Sequence, residues 1–116
     1  MLWSNPNPSN DFGSSTVTLS NDMNNYTWLK FTYKKDKTTS DVYSVIYQVS
    51  DVKQFVDSSG QKVGTMAIGR NSAYNLVRVI TYVSDTKITI GTSLRINNAA
   101  ATNNEMVIPL VIYGMK

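Results

Sequence analysis

The stretch Thr-Trp-Leu-Lys-Phe-Thr-Tyr-Lys-Lys at residues 27–35 alternates apolar and polar side chains with a period of two. Leu29, Phe31 and Tyr33 fall on one face, and Lys30 and Thr32 fall on the other. This alternation predicts a β-strand with one buried face. The same pattern recurs along the chain, so this strand is one of a set; the other segments are residues 16–20, 42–49, 63–70, 73–83, 87–91 and 105–113.

Turn-forming residues separate these segments, and no window of twelve residues has a helical period. The sequence therefore predicts an all-β fold, an antiparallel β-sandwich of jelly-roll type with about seven or eight short strands. Val52, Phe55 and Val56 have the spacing of a single helical turn. Pro109 cannot donate a ladder hydrogen bond, which predicts an edge position or a neighbouring bulge. Alternation within each strand predicts a core of Val17, Leu19, Leu29, Phe31, Val45, Ile68, Val77, Val79, Ile88, Ile90, Ile108 and Ile112.

A chain of 116 residues is long enough for one domain, and we expect residues 1–116 to form a single sandwich. Residues 4–15 are crowded with Pro, Asn, Ser and Gly, which indicates turns and extended chain. We therefore predict that residues 1–15 form an extended segment packed on the sandwich. Trp3 and Phe12 flank this stretch, and the simplest interpretation is that both rings pin it to the body.

The composition argues against most catalytic chemistry. The chain contains neither Cys nor His, which excludes disulfides, zinc sites built from those residues, and Ser–His or Cys–His nucleophile pairs. The loops that hold Asp51 with Asp57, and Asp36 with Asp41, carry paired carboxylates. Asp is common in such turns because its side chain bonds the local backbone. We therefore predict no enzyme, no catalytic residue, no metal site and no cofactor; a small hydrolase is the weakest alternative.

Charge and hydropathy also limit the partners. The net charge is +3 and the 11 basic residues are scattered, whereas a nucleic-acid-binding protein usually concentrates them on one face. No apolar run is long enough to cross a membrane, and the first residues lack the basic and apolar regions of a signal peptide. We expect no nucleic-acid partner, no membrane insertion and no signal-directed secretion. Ser, Thr and Asn make up 37 of the 116 residues, a composition that suits a solvent-facing β protein.

Tyrosines next to asparagines suggest sugar binding, because aromatic rings stack on sugar faces and amides bond sugar hydroxyls. Most of the seven tyrosines lie in strands, where Tyr is an ordinary structural residue, but Tyr26 and Tyr74 lie near loops. Sandwich loops cluster at two ends and carry binding groups without cost to the core. The sequence offers two candidate ligand-binding groups: Tyr74 with Asn71 and Asn75, and Asp51 with Gln54 and Asp57.

The two ends of the chain carry a family resemblance. Leu-Trp-Ser-Asn-Pro-Asn-Pro at residues 2–8, followed by Phe12 and Thr-Val-Thr-Leu at 16–19, resembles the opening of a module in bacteriophage tail-fibre and baseplate-type virion proteins. Val-Ile-Pro-Leu-Val-Ile-Tyr-Gly-Met-Lys at 107–116 is similar to the end of the same module. The resemblance covers roughly the first 35 and the last 10 residues, and the middle resembles it only in its alternation.

The resemblance implies a trimeric virion appendage involved in host attachment, with no defined catalytic residues. It further implies a virion location, synthesis in the bacterial cytoplasm, contacts with other virion proteins, a host-surface glycan as ligand, and a place at the C-terminal end of a longer protein. Strands that are apolar on both faces, such as residues 42–49, add a physical reason for a homotrimer. The alternative interpretation is a carbohydrate-binding module, free-standing or attached to an enzyme.

Overall fold

The computed structural model describes residues 1–39, 41–56, 63–71, 74–95 and 104–116. Within these residues the chain forms eight strands, one four-residue helix and one 3-10 turn. The strands are β1 (Trp3–Ser4), β2 (Ser15–Thr18), β3 (Trp28–Asp36), β4 (Val42–Gln48), β5 (Gly64–Asn71), β6 (Tyr74–Ser84), β7 (Lys87–Arg95) and β8 (Met106–Met115). The helix α1 is Val49–Val52, and the 3-10 turn is Met23–Asn25.

The strands form two four-stranded antiparallel sheets, and the predicted sandwich is thereby confirmed. The first sheet has the order β1-β8-β3-β4 and the second has the order β2-β7-β6-β5. The first strand pairs with the last, and the second with the seventh, as in a jelly roll. The middle of the chain is simpler, because β3 and β4 form a hairpin and β5, β6 and β7 form a meander.

Strand alternation predicted most of the core correctly. Nine of the twelve predicted residues are buried, and Val45 is half-buried and packs against the core. The nine are Val17, Leu19, Leu29, Phe31, Ile68, Ile88, Ile90, Ile108 and Ile112.

The prediction was wrong for β6, whose inward face is the opposite one. Val77 and Val79 are half-buried, whereas Leu76 and Ile80 are buried together with Arg78. This strand is apolar on both faces, so alternation alone does not orient it. The predicted inward Val77 and Val79 would have placed Arg78 on the opposite face, and the structure instead buries Arg78 completely.

Arg78 is held inside the sandwich by main-chain carbonyl oxygens. Its Nε donates to the carbonyl of Val107, its Nη1 to that of Gly91 at 2.9 Å, and its Nη2 to that of Met106 at 3.1 Å. The guanidinium also lies 5.2 Å from the centre of the Phe12 ring. Burial lowers the pKa of Arg78 to about 10, so the group stays charged at neutral pH. One side chain therefore ties β6 to β7 and β8.

The bulge predicted beside Pro109 is present. The pairing of β3 with β8 shifts register between Thr32, which faces Val111, and Tyr33, which faces Pro109. The strand itself lies between β1 and β3 rather than at the edge of its sheet. The carbonyl of Pro109 accepts a hydrogen bond at 2.9 Å from the Asn5 side-chain amide. A side chain therefore supplies a hydrogen bond where the β-ladder is interrupted.

The single helical turn lies three residues earlier than predicted. It spans Val49–Val52, immediately after β4, and a turn at Lys53 and Gln54 follows it. Val52 and Phe55 are buried as the spacing suggested, but Val56 is 60% exposed. In this position α1 forms one wall of a cleft.

Two tyrosine hydroxyls close one side of the sandwich. The Tyr33 hydroxyl donates to the Ala67 carbonyl at 2.7 Å and accepts from the Ala67 amide at 3.2 Å. The Tyr47 hydroxyl makes the same two bonds with Thr65, at 3.0 and 2.9 Å. Both tyrosines come from the first sheet, and Thr65 and Ala67 lie in β5, the edge strand of the second sheet. The main-chain groups of Thr65 and Ala67 that face away from β6 are therefore occupied.

We expect the free energy of unfolding to fall at alkaline pH. Burial raises the pKa of Tyr33, so the folded chain holds the phenolic proton more tightly than the unfolded chain does. This contribution is complete below the unfolded-state pKa of about 10 and is lost as pH rises through the raised folded-state pKa. Urea unfolding measured at several values between about pH 8 and pH 11 tests it. Tyr33→Phe should reduce the slope of the unfolding free energy against pH, and an unchanged slope in that variant would contradict this contribution.

Candidate functional site

An open cleft lies at the end of the sandwich where β3 begins and β4 ends. Its volume is about 530 Å³, within the usual range for small-ligand sites. We name it the Tyr26 cleft. One aromatic ring and several uncharged polar groups form its walls; the lining residues are Asn24, Tyr26, Thr27, Gln48, Val49, Ser50 and Lys53.

Local sequence chemistry positions Tyr26. The Asp22 carboxylate accepts from the Asn24 amide at 2.8 Å and begins the 3-10 turn, which the Tyr26 amide closes by donating to the Met23 carbonyl at 3.0 Å. The ring then lies against the backbone of β8 at Gly114. A Cβ at that position would be 2.5 Å from the ring, so only glycine allows this packing.

Two further segments are joined to the turn at this point. The Thr27 amide donates to the Met115 carbonyl of β8 and the Val49 amide of α1 donates to the Thr27 carbonyl, both at 2.9 Å. Across the cleft, the Lys53 ammonium donates to the Asn24 side chain at 2.7 Å and lies 3.7 Å from the Asp85 carboxylate. The cleft is therefore lined by two stretches of chain that are distant in sequence, residues 24–27 and 48–53, and bonds to β8 and Asp85 hold them in place.

A tyrosine–aspartate pair supports the lysine. The Tyr82 hydroxyl donates to the Asp85 carboxylate at 2.6 Å, and this bond raises the pKa of Tyr82 and lowers the pKa of Asp85. Hydrogen bonding with Asn24 and the nearby Lys53 ammonium lower the pKa of Asp85 further. Asp85 consequently stays ionised and holds Lys53 at the cleft wall across the neutral pH range.

The structure does not bring the two predicted ligand groups together. Asp51 lies in α1 and Gln54 directly after it, at the Tyr26 end of the sandwich, and the Gln54 side chain donates to the Ser50 carbonyl at 3.3 Å. Asn71 ends β5, and Tyr74 and Asn75 begin β6. The far end of β6 adjoins Lys53, and its eleven residues separate the two groups by roughly 33 Å. Asp57 lies outside the described residues.

The sequence analysis noted that Tyr26 lies near a loop, but it placed neither Tyr26 nor the groups around it in a candidate ligand site. Asn24 comes from a different stretch of chain from Gln48 and Lys53, and no local pattern relates the two stretches. Gly114 did leave a signal, because a glycine inside an apolar strand pattern indicates a close backbone approach. That signal alone does not say which ring approaches.

A second depression of about 570 Å³ lies beside the N-terminal segment, next to Trp3 and Phe12. The two rings meet edge to face at 6.2 Å, so both take part in packing this segment. Its polar groups are largely engaged within the chain: Asn5 bonds the Pro109 carbonyl and the Asn7 amide, and Asp11 pairs with Lys37 at 2.9 Å. The Tyr26 cleft is therefore the better candidate for a ligand site.

The cleft opens onto one face of the first sheet. We call this the outer face: it is the side opposite the buried Leu29, Phe31 and Tyr33, and the strand register defines its members. Trp28, Ile46 and Tyr113 on it are 37%, 49% and 41% exposed. The described outer-face residues of β3, β4 and β8 are Trp28, Lys30, Thr32, Lys34, Asp36, Val42, Ser44, Ile46, Gln48, Met106, Ile108, Val111, Tyr113 and Met115. Met106 and Ile108, at the Asp36 end of the face, are buried.

No family model, no curated protein and no solved structure matches the chain. Within the described residues, no group of three or more acidic side chains could hold a metal ion. In the same part of the chain, no helix has the length and hydropathy needed to cross a membrane.

Gly114→Ala is expected to lower the free energy of unfolding by about 1–3 kcal/mol, because the added methyl group collides with the Tyr26 ring. Displacement of that ring should also deform the cleft. Thermal melting followed by tyrosine fluorescence measures both effects. Gly13→Ala is the matched control, since a Cβ there meets no atom within 4 Å. Equal melting temperatures for the two variants would contradict the proposed packing of Tyr26.

Proposed function

We propose that this chain is a non-enzymatic structural module of a bacteriophage virion appendage, such as a tail fibre or baseplate, and that it contributes to attachment to host-surface glycans. The observation that carries the binding role is the Tyr26 cleft. A half-buried ring there offers an apolar surface to a sugar ring, and Asn24, Gln48 and Ser50 offer amide and hydroxyl groups to its hydroxyls. Lys53 adds a charged donor on the same wall.

The packing of the two chain ends supports the virion part of the proposal. The segments that carry the family resemblance are neighbours: Trp3 pairs with Ile112 and Ser4 with Val111. The Asn5 amide also donates to the Leu110 carbonyl at 2.8 Å. Residues resembling one family's opening and ending therefore form one continuous structural unit. The genes beside the coding gene test this part, since virion genes should flank it.

The chemistry of the cleft supports a binding role rather than catalysis. No carboxylate is among its described lining residues, and glycoside hydrolysis canonically needs two across the scissile bond. The same cleft would serve a carbohydrate-binding module, free-standing or attached to an enzyme, which is the second candidate. Neighbouring genes for carbohydrate-degrading enzymes, in place of virion genes, would favour that candidate.

Glycan binding is tested on an array of bacterial surface saccharides, followed by titration calorimetry. We expect Tyr26→Ala and Gln48→Ala each to weaken binding by about tenfold, because each removes one contact of the kind that contributes 1–2 kcal/mol. Gln48 is exposed, so its variant should fold normally even if Tyr26→Ala does not. Ser84→Ala, at the end of β6 and outside the cleft lining, is the control. Retained affinity in both cleft variants contradicts this site, and no binding on the array leaves a purely structural role.

The proposal includes self-association as a homotrimer, and the open edge of β4 offers a contact surface for it. The Val49 amide donates to Thr27 and the Lys35 amide to Asp41, so odd-numbered residues of β4 bond β3. The main-chain groups of the even-numbered residues, including Ser44, then face the open edge. Uncharged edge strands of this length are templates for pairing.

Light scattering at micromolar concentration tests the assembly. We expect a mass three times that of the 12.9 kDa chain. Ser44→Pro removes one edge amide without touching the β3–β4 ladder and should weaken the assembly. A single 12.9 kDa species for the parent chain contradicts self-association of this chain.

A further inference from the structure

We propose that the outer face binds an anionic polysaccharide. This inference rests on the proposed glycan attachment and adds the charge of the glycan. Trp28 and Tyr113 present exposed rings on this face, and Lys30 lies between Tyr113 of β8 and Ile46 of β4 in the strand register. Trp28, Ile46 and Met115 also line a shallow apolar depression of about 370 Å³. Apolar C–H faces of sugar rings fit such surfaces, while their acidic groups need a cation nearby.

The face has the shape of a track rather than a pocket. Trp28, Lys30, Thr32 and Lys34 follow one another along β3 at intervals of about 7 Å, because side chains on one side of a strand recur every second residue. The track begins at the Tyr26 cleft, since Trp28 pairs with Gln48, a residue of the cleft wall. An extended chain of sugars can therefore follow it from the cleft across the sheet.

Charge selects the class of ligand. Lys30 and Lys34 lie on the described outer-face positions together with one carboxylate, Asp36, at the last residue of β3. Lys34 donates one hydrogen bond to the Lys37 carbonyl at 3.2 Å, which leaves its charge in place. The Asp36 carboxylate accepts hydrogen bonds from the Thr38 and Thr39 amides, at the end of β3 that lies farthest from Trp28 and the cleft.

Lys30 lies among exposed apolar side chains, with Ile46 and Tyr113 on either side of it in the register and no carboxylate opposite it. The two lysines are roughly 13 Å apart along the strand, a spacing that suits repeated charges on a polymer. The occupant that neutralises them is a ligand of opposite charge.

The experiment compares three probes on the full chain: a polyuronate such as alginate, a poly(glycerol phosphate), and neutral dextran. We expect the two anionic probes to bind at least tenfold more tightly than dextran, with affinity falling as salt is raised. Lys30→Gln should weaken anionic binding about tenfold, and Lys30→Arg should retain it. Lys87→Gln makes the same charge change on the exposed start of β7, in the other sheet, and should have no effect.

The outcomes separate this inference from the proposed function. Equal losses in Lys30→Gln and Lys87→Gln would show a general charge effect and overturn the inference. Equal binding of dextran and the anionic probes would overturn it too, while leaving glycan attachment standing. Failure to bind any saccharide on the array would remove both. A parent dimer whose mass is halved by Lys30→Glu, with no glycan bound, would assign the face to a second copy instead.

Discussion

Arg78→Met is expected to lower the free energy of unfolding by about 3–5 kcal/mol, among the largest effects of any single substitution in this chain. Methionine fills much of the same volume but donates no hydrogen bond. The carbonyls of Val107, Gly91 and Met106 would lose their Arg78 donor in a buried setting. Removal of the buried charge recovers part of the desolvation cost, but three abandoned acceptors outweigh it. Chemical denaturation measures the change.

Arg78→Lys separates charge from geometry. Lysine keeps the positive charge but cannot reach three carbonyl groups on two strands at once, so we expect an intermediate loss. We expect the backbone at Val107 to be affected by the same loss of hydrogen bonds. Its φ of 51° is unfavourable for a β-branched residue and needs support from its surroundings. A melting temperature of Arg78→Met at or above that of the parent would mean that the buried cation destabilises the fold instead of stabilising it by joining β6 to β7 and β8.

Leu29→Ala is expected to cost about 2–5 kcal/mol of unfolding free energy. Leu29 is fully buried, in the strand whose alternation predicts the fold, and it faces Tyr47 on one side and Gly114 on the other. Truncation leaves a cavity that the β-sheet on either side cannot collapse to fill. Thermal or urea unfolding of the folded variant gives the value.

Lys30→Ala is the matched control for Leu29→Ala, since it lies on the same strand one residue further and faces outward. Its effect on unfolding should stay within about 0.5 kcal/mol. Comparable losses in the two variants would mean that the register of β3 is wrong, because a shift of one residue exchanges the two faces of a strand.

The sequence by itself determined the fold class and most of the core. Period-two alternation is a local property, readable wherever one face is apolar and the other polar, as in Leu29, Lys30 and Phe31 of β3. Turn residues between such segments then leave a sandwich as the compact solution. Pro109 likewise predicted a bulge, because its missing amide is a property of the residue itself.

Tertiary structure decided the features that local sequence patterns leave undetermined. β6 is apolar on both faces, so its orientation depends on which face finds partners, and the carbonyls from β7 and β8 select the face that holds Arg78. The tyrosine hydrogen bonds to β5 and the walls of the Tyr26 cleft likewise depend on contacts between segments that are distant in sequence. Asn24 becomes a neighbour of Gln48 and Lys53 only when two distant segments pack together, and the energy of such long-range contacts is absent from any window of sequence.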